Sequence, residues 1–345
     1  MSATSVVERA DRTRSDYGNL LETVQQARLL DRSGRGYLPR GLVLAAMTGA
    51  GVVAFVWLGQ SWWQLLVAAY FGVILAQLGF IGHDAGHQQI FSSKHWNDRV
   101  GMAISNLGVG LSYAWWVDKH QRHHRNPNQL GSDPDINRNV LAWTPEQAES
   151  QRGALRVVAR HQAAFFFPLL LLEGWNLHVG SLRVLFAKPR AHIVELSLLL
   201  LHVVGGVGLL LVFLSPWQVV AFIGVQQSLF GLYLGCSFAP NHKGMPILEA
   251  GTRMDFLRRQ VMTSRNLTGG RAMTMFFGGL NYQIEHHLFP SMPSHNLRRC
   301  QPIVKEFCAT HGLAYCETTL IASYARTLSY MQGLRPSRLQ AADAE

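Results

Sequence analysis

Charged residues are scarce in this sequence. Only 15% of the 345 residues are Asp, Glu, Lys or Arg, whereas soluble domains carry about 25%. Lysine and arginine are missing altogether from residues 41–81 and 191–242, which are rich in leucine, valine and alanine. Such blocks are poorly suited to an aqueous surface, so the composition argues against an ordinary soluble domain and predicts a chain that lies in a lipid bilayer.

Cysteine is scarce as well. The four cysteines form no CxxC pair, and Cys300, Cys308 and Cys316 fall in a segment that is expected to face the reducing cytoplasm. No chemistry is assigned to them. The first residues, MSATSVVERADRTR, contain no apolar core with a cleavage site, and we therefore expect no signal peptide.

The two blocks without lysine and arginine are each long enough for two membrane passes, since a spanning helix takes about 20 mostly apolar residues. Each block contains a turn signal near its middle, Gly59-Gln60-Ser61 in the first and Ser215-Pro216 in the second. The blocks therefore predict two helical hairpins, with spans at 41–58, 62–81, 193–214 and 217–238.

The basic residues all lie outside these hairpins, and the positive-inside rule places them in the cytoplasm. We expect a single all-α integral-membrane domain over residues 1–345 with both termini cytoplasmic. Its predicted parts are a cytosolic N-terminal segment (1–40), two transmembrane hairpins (41–81 and 191–239) and a cytosolic helical cap (82–190 and 240–345). The net charge of +10 is explained by this topology and by attraction to anionic headgroups, so no nucleic-acid partner is predicted.

Three further segments are predicted to be helical without spanning the membrane. Residues 17–30 place apolar side chains at helical spacing and predict an amphipathic helix. The apolar stretches 100–117 and 163–172 are polar-interrupted or short, and we expect re-entrant or interfacial helices there. A span at 100–117 would also put the histidine motifs on either side of it on opposite faces of the membrane.

Histidine is the residue that is unusually abundant. Eight of the fifteen histidines fall into four groups, each after a hydrophobic segment: His83 and His87 in HDAGH, His120, His123 and His124 in HQRHH, His242 in NHKG, and His286 and His287 in QIEHH. All four groups are predicted to lie at the cytoplasmic membrane surface.

The spacing within these groups suits metal binding, because residues four apart share one face of a helix. A lone HxxxH also arises by chance or on an exposed polar face, so the prediction depends on the four groups occurring together. Imidazole binds zinc, copper, iron and nickel. Eight imidazoles are too many for one tetrahedral zinc, and their number favours two metals with open positions.

The motifs HDAGH, HQRHH followed by NPNQLGSDPDI, NHKGMP, and GGLNYQIEHHLFPSMP resemble the histidine boxes of the membrane fatty-acid desaturases, over residues 17–303. The resemblance implies four transmembrane helices below a cytosolic cap that holds a di-iron site, with a kinked acyl tunnel leading to it. The iron ligands that it implies are His83, His87, His120, His123, His124, His242, Gln283, His286 and His287.

Gln283 differs from the other implied ligands. Many members of the family have histidine there, and a glutamine is characteristic of a subgroup rich in front-end desaturases, which act between an existing double bond and the carboxyl end. A glutamine offers a weaker oxygen ligand or a hydrogen bond.

Several polar residues beside the boxes are expected to support the ligands. Asp84 and Glu285 can accept the free imidazole N–H of a ligand. Asn241 is expected to hold an iron-bound water. Asp133 and Asp135 are expected to connect the loop after the second box to neighbouring segments. Ordinary turn or capping roles stay open for these last three.

The function that the resemblance implies is an O2-dependent desaturase that introduces a cis double bond into an acyl-CoA or an acyl lipid. No haem, flavin or iron–sulfur motif occurs in the sequence, so the electrons are expected from a separate carrier such as ferredoxin or cytochrome b5 with its reductase. A hydroxylase on the same scaffold is the alternative within enzymes, and a non-enzymatic membrane metal-binding protein is the alternative of another class.

Overall fold

The computed structural model describes residues 15–137 and 140–336, and it is mostly helical with very little sheet. The predicted absence of a signal peptide concerns residues outside this range. Two short parallel strands, β1 (Asn266–Thr268) and β2 (Glu317–Thr319), pair with Asn266 opposite Glu317. The helices in chain order are α1 (Asp16–Gln26), α2 (Leu38–Leu58), α3 (Gln64–Gly86), α4 (Lys94–Met102), α5 (Tyr113–Arg125), α6 (Pro145–Glu149), α7 (Gly153–Arg160), α8 (Gln162–Leu170), α9 (Glu173–Ala187), α10 (Ile193–Phe213), α11 (Pro216–His242), α12 (Phe256–Met262), α13 (Gly270–Phe276), α14 (Gln283–Leu288), α15 (Ser294–Thr310) and α16 (Leu320–Gly333).

Four of these helices, α2, α3, α10 and α11, are long and apolar enough to cross a membrane. They confirm the four predicted spans. The structure corrects two of the predicted ends, because α3 and α11 continue past residues 81 and 238 to Gly86 and His242. The sequence prediction stopped where polar residues begin, but those residues are buried against the cap, so the helices continue into it.

The two hairpin turns lie at the same end of the molecule. Gly59 ends α2 with a φ of 51°, a left-handed conformation that favours glycine. Gln64, at the start of α3, donates hydrogen bonds to the carbonyls of Phe55 and Gly59. Gln218 of the second hairpin donates to the carbonyl of Gln60 at 2.5 Å. The two turns are therefore held together, and the histidines lie at the other ends of α3 and α11.

The outward faces of the long helices carry large apolar side chains that are mostly exposed in the part of the chain that the structure describes. Trp57 is 84% exposed, Val212 75% and Trp217 79%. These fractions would be costly in water but are expected where lipid covers the surface. Between the helices the packing is close, since a Cβ on Gly72 would lie 2.8 Å from the carbonyl of Gln226.

The stretch 100–117 does not form a single span. Helix α4 is followed by a π-helical segment, Ala103–Val109, and the chain then turns at Gly110 with a φ of 83° before α5 begins. The second stretch, 163–172, ends at a break between α8 and α9 where the axes differ by 68°, a geometry of a re-entrant loop or a broken span.

The cap has its own apolar core. Leu257, Ile284, Leu297 and Cys300 are buried together from helices α12, α14 and α15. Helix α1, which the sequence predicts within 17–30, packs on this core through the buried Leu20 (and, one turn later, Val24). The hydrophobic face of α1 therefore closes the cap over the third histidine box.

Candidate metal centre

The four histidine groups, distant in sequence, meet where the long helices enter the cap. His83 lies in the last turn of α3 and His87 caps that helix. Helix α5 carries the second group, the end of α11 carries His242, and α14 carries the third box. The ring centroids of His83 and His286 are 4.8 Å apart, and those of His123 and His242 are 4.7 Å apart.

The imidazoles form two neighbouring sets. In each set, one ring nitrogen per histidine lies within 4.8 Å of the others; the first set is His83, His87, His120 and His286, and the second is His123, His242 and His287. His124 lies between them, since its ring stacks on His287 at 4.1 Å and is 4.7 Å from His286. Gln283 adjoins the second set, with its amide nitrogen 2.9 Å from Nε2 of His242.

Four of the rings are oriented by a hydrogen bond at Nδ1. The contacts run from His83 to Asp84 (3.1 Å), from His123 to Asp133 (3.0 Å), from His242 to the carbonyl of Thr263 (2.9 Å), and from His287 to Oε1 of Gln260 (2.9 Å). A ring held in this way carries its proton on Nδ1 and presents Nε2 to the interior of the cluster. This is how metal-binding histidines are normally supported.

Other nitrogens in the cluster have no hydrogen-bond partner among the described residues. They are Nε2 of His87, Nδ1 of His124, both ring nitrogens of His286 and Nε2 of His287. A buried polar atom without a partner costs free energy. Metal ions bound between the rings would satisfy the inward-facing nitrogens, so the cluster fits the metals that the histidine motifs predict.

The protonation of these rings also suits metal binding. Burial, followed by the proximity of the other histidines, holds the pKa of His120, His124, His286 and His287 well below the ordinary value. These imidazoles are therefore neutral at neutral pH, with lone pairs available to a metal.

Two of the polar residues expected to support the ligands, Asp84 and Asn241, do contact predicted ligands, whereas Glu285 does not. Asp84 contacts His83 and also accepts from the hydroxyl of Ser294 at 2.6 Å, and Asn241 donates to Oε1 of Gln283 at 3.3 Å. Glu285 differs from the expectation.

The carboxylate of Glu285 accepts hydrogen bonds from Asn266 and from the hydroxyl of Tyr315, both at 2.7 Å, and no hydrogen bond joins it to an imidazole among the described residues. Burial raises its pKa to about 7, against the effect of these two donors. Because the side chain of Asn266 also accepts from the backbone N–H of Ile284 at 2.9 Å, Glu285 fixes α14 against β1 instead of orienting a ligand.

Asp133 and Asp135 lie beside the second box, and both carboxylates face the ring of His123 in addition to shaping the turn. Burial opposes protonation of His123, but the two carboxylates outweigh it and raise the pKa of that ring. Asp135 also pairs with Lys119 at 2.5 Å.

Gln260 and Thr263 are missed by the sequence analysis. Each supplies the acceptor for one histidine, and the amide of Gln260 also donates to the carbonyl of His124 at 3.0 Å. Both come from the segment around α12, which carries no motif and no ligand spacing. Only the folded arrangement brings this segment against the second and third boxes.

A cavity of about 490 Å³ opens beside the cluster. Five of the predicted ligands contribute to its wall, namely His83, His120, His123, His242 and Gln283. Most of its remaining wall is apolar and comes from α8, α9, α11 and the end of the π-helix with the turn that follows it. The lining residues include Val109, Leu111, Phe166, Leu170, Leu177, Phe230 and Leu234. The volume is that of a small-molecule site, and the lining suits a hydrocarbon chain.

Comparison with known proteins agrees with this geometry. The acyl-lipid (9-3)-desaturase of Physcomitrium patens is 29% identical over 329 residues, which cover 92% of this chain and 62% of that protein. The Delta(8)-fatty-acid desaturase of Helianthus annuus is 28% identical, over 95% of this chain and 74% of that protein. The Delta(5) fatty acid desaturase fat-4 of Caenorhabditis elegans is 33% identical, over 72% of this chain and 58% of that protein.

This chain therefore spans between 58% and 74% of the length of these three relatives. A family model described as fatty acid desaturase matches residues 60–319, which include three of the four long helices (α3, α10 and α11) and all four histidine groups. The match confirms the resemblance that the histidine motifs predict, and the chain belongs to the fatty acid desaturase family.

Proposed function

We propose that this chain is an O2-dependent fatty-acyl desaturase that introduces a cis double bond into a bound acyl chain. In the overall reaction two hydrogens leave adjacent carbons of the substrate. Dioxygen takes up these hydrogens together with two protons and two electrons from an external donor, and two waters form. The observation that carries the proposal is the pair of inward-facing imidazole sets beside an apolar cavity.

The two imidazole sets are the proposed sites for two iron ions. His83, His87, His120 and His286 would hold one ion, and His123, His242 and His287 the other, with His124 between them and Gln283 beside the second. Iron bound there would supply the redox chemistry that side chains lack. Imidazole alone does not select iron over zinc, so the identity of the metal is part of the proposal.

The chain itself positions the acyl substrate against the histidines and excludes water from them. The cavity wall brings apolar side chains and the imidazoles of His83, His120 and His123 to one surface. An acyl chain that fills this cavity excludes water from the histidines and lies against them in a fixed conformation.

The relatives support a substrate class. The Physcomitrium patens protein is named an acyl-lipid desaturase, and the other two are named fatty acid desaturases. We infer that this chain acts on an acyl lipid or an acyl-CoA, and that ferredoxin or cytochrome b5 with its reductase supplies the electrons. The histidine cluster and both termini are proposed to face the cytoplasm, in keeping with the basic residues around them.

The proposal can be tested in a desaturase-deficient host that expresses the chain with a matched reductase and ferredoxin. We expect a new unsaturated fatty-acid methyl ester, which is lost in His123→Ala and kept in His95→Ala, a change of an exposed histidine outside the cluster. Gas chromatography with mass spectrometry separates the outcomes, because an alkene is lighter than the substrate by two hydrogens and an alcohol is heavier by one oxygen. An alcohol would favour a hydroxylase. Zinc in place of iron, with no oxygen consumption, would contradict the oxidase proposal.

A further inference from the structure

One part of the cavity wall is charged, although the rest suits a hydrocarbon. Lys119, Asp135, Glu173 and Lys243 all line the cavity. Charged groups are costly beside an apolar chain. In ligand sites a few polar groups in an apolar wall normally fix the orientation of the ligand, which makes this part of the wall a place for the polar end of the substrate.

The two lysines differ in their partners. The ammonium group of Lys119 pairs with the carboxylate of Asp135 at 2.5 Å. The ammonium group of Lys243 donates to the backbone carbonyl of Asp135 at 2.9 Å and lies 4.2 Å from the ring centroid of Trp143. No carboxylate of the described residues forms a salt bridge with it. An ammonium group has three donors, so Lys243 has donors left for a ligand.

Hydrogen bonds to the backbone carbonyl of Lys243 hold this residue in place. Its carbonyl accepts hydrogen bonds from the buried guanidinium of Arg265 and from the hydroxyl of Thr327 at 3.0 Å. The residue directly follows His242, and Asp135 in turn lies 3.6 Å from Nδ1 of His123. The charged part of the wall is therefore next to the histidines, and other lining residues, such as Leu111 and Leu234, are apolar.

We propose that Lys243 donates a hydrogen bond to the carbonyl oxygen of the acyl ester or thioester, and so holds the carboxyl end of the substrate beside the histidines. The methyl end then extends among the apolar residues between α9 and α11. The position of the new double bond is consequently measured from the carboxyl end. This inference rests on the proposed function, which it deepens by naming the residue that orients the substrate.

A carbonyl oxygen suits this place better than a phosphate. Asp135 and Glu173 contribute two carboxylates to the same part of the wall, and they would repel a phosphate group close to Lys243. A neutral carbonyl accepts the hydrogen bond without adding an anion. A phosphate-containing head group would then lie outside the cavity.

The test uses wild-type protein, Lys243→Met, Lys243→Arg and the control Lys305→Met, whose lysine is 56% exposed and pairs with Glu317 in the cap. Each is expressed in the desaturase-deficient host with acyl substrates of three lengths, each two carbons longer than the last. Every length is supplied both saturated and with one double bond at a fixed distance from the methyl end. The double-bond position is located by mass spectrometry after derivatisation, and the iron content of each purified protein is measured by mass spectrometry of the metal.

We expect wild type and Lys305→Met to place the double bond at one distance from the carboxyl end for all three lengths. Lys243→Met, with unchanged iron content, should give products at more than one position and an apparent KM raised about 10-fold or more. Lys243→Arg, which keeps a charged donor, should restore the single position.

Two results would overturn the inference. One is a wild-type position that stays constant from the methyl end, a result that needs no variant to fold. The other is an unchanged single position in Lys243→Met at every length. A wild type that forms no unsaturated product at all contradicts the proposed function itself and is thereby distinguished from both.

Discussion

Three rings of the histidine cluster, those of His83, His123 and His287, are oriented by a hydrogen bond from Nδ1 to another side chain. His287 is an example, because its Nδ1 contacts Gln260 while its Nε2 has no partner among the described residues. Gln260 is fully buried, and its amide also reaches the backbone of the second box. One glutamine therefore sets both the direction of a ligand ring and the distance between two boxes.

We expect Gln260→Leu to weaken metal binding. The substitution keeps a buried side chain of similar size but leaves Nδ1 of His287 and the carbonyl of His124 unpaired. Loss of such a supporting contact typically lowers metal affinity about 10- to 100-fold. The measurement is the iron retained per chain after dialysis against increasing chelator. Gln260→Glu, which keeps an acceptor for His287, should retain more iron than Gln260→Leu.

Gln301→Leu is the matched control, because Gln301 contacts Glu317 and lies outside the cluster. It should retain iron like the wild type. Equal iron retention in Gln260→Leu and the control would show that Gln260 does not orient a ligand.

At the scale of elements, the segment from 103 to 112 is held by side chains from two other helices. The contacts run from His202 to the carbonyl of Leu107 (2.8 Å), from His178 to the carbonyl of Gly110 (2.8 Å), and from the hydroxyl of Ser112 to the carboxylate of Glu195 (2.9 Å). The two histidine contacts satisfy backbone carbonyls where the π-helix ends, as irregular backbone beside a membrane requires, and Glu195 holds the residue that precedes α5. The wall of the cavity and the start of the second histidine box are fixed by the same three side chains.

Gly110→Ala should destabilise the protein in two ways, through its left-handed backbone conformation and through a clash of the new methyl group with His202. Gly110 has a φ of 83°, and a Cβ there would lie 2.6 Å from the ring of His202. A left-handed alanine costs about 1–2 kcal/mol, and overpacking adds about 1–3 kcal/mol. Thermal unfolding of the purified protein in detergent measures the loss.

Gly131→Ala isolates the backbone contribution, since Gly131 has a φ of 75° and open space around its Cβ position. We expect the Tm of Gly110→Ala to fall further than that of Gly131→Ala. Equal falls in Tm would contradict this expectation, because they would show that the segment around Gly110 moves enough to accommodate the extra methyl group.

At the scale of the whole molecule, composition and charge distribution predict most of the architecture. The four long helices follow from two blocks that lack lysine and arginine, and the histidine groups follow from the spacing of His83, His120 and His286 with their neighbours. The supporting residues could not be predicted in the same way. Gln260, Thr263 and Glu195 acquire their roles from contacts between segments that are distant in the sequence. Gln260 and Thr263 look ordinary in their local pattern, and Glu195, although it is the one charged residue of 191–242, gives no indication there of its partners.

The orientation of the molecule in the membrane is the last property to test. The turns after α2 and α10 are held together at one end, and the histidines and the cap lie at the other, so labelling of one residue at each end reports the topology. Gln60 is exposed in the first turn, and Lys305 is exposed on the cap. Single cysteines can be introduced at these positions after the four native cysteines are replaced.

A membrane-impermeant maleimide should label Gln60→Cys in intact cells and Lys305→Cys only after the membrane is opened. The physical reason is the positive-inside rule, because lysine and arginine surround the cap and are missing from both turns. Labelling of Lys305→Cys in intact cells would place the cap outside and would remove the histidine cluster from cytoplasmic electron carriers. The same result would contradict the proposed electron donors, because ferredoxin or cytochrome b5 in the cytoplasm could not reach a cap on the outer face.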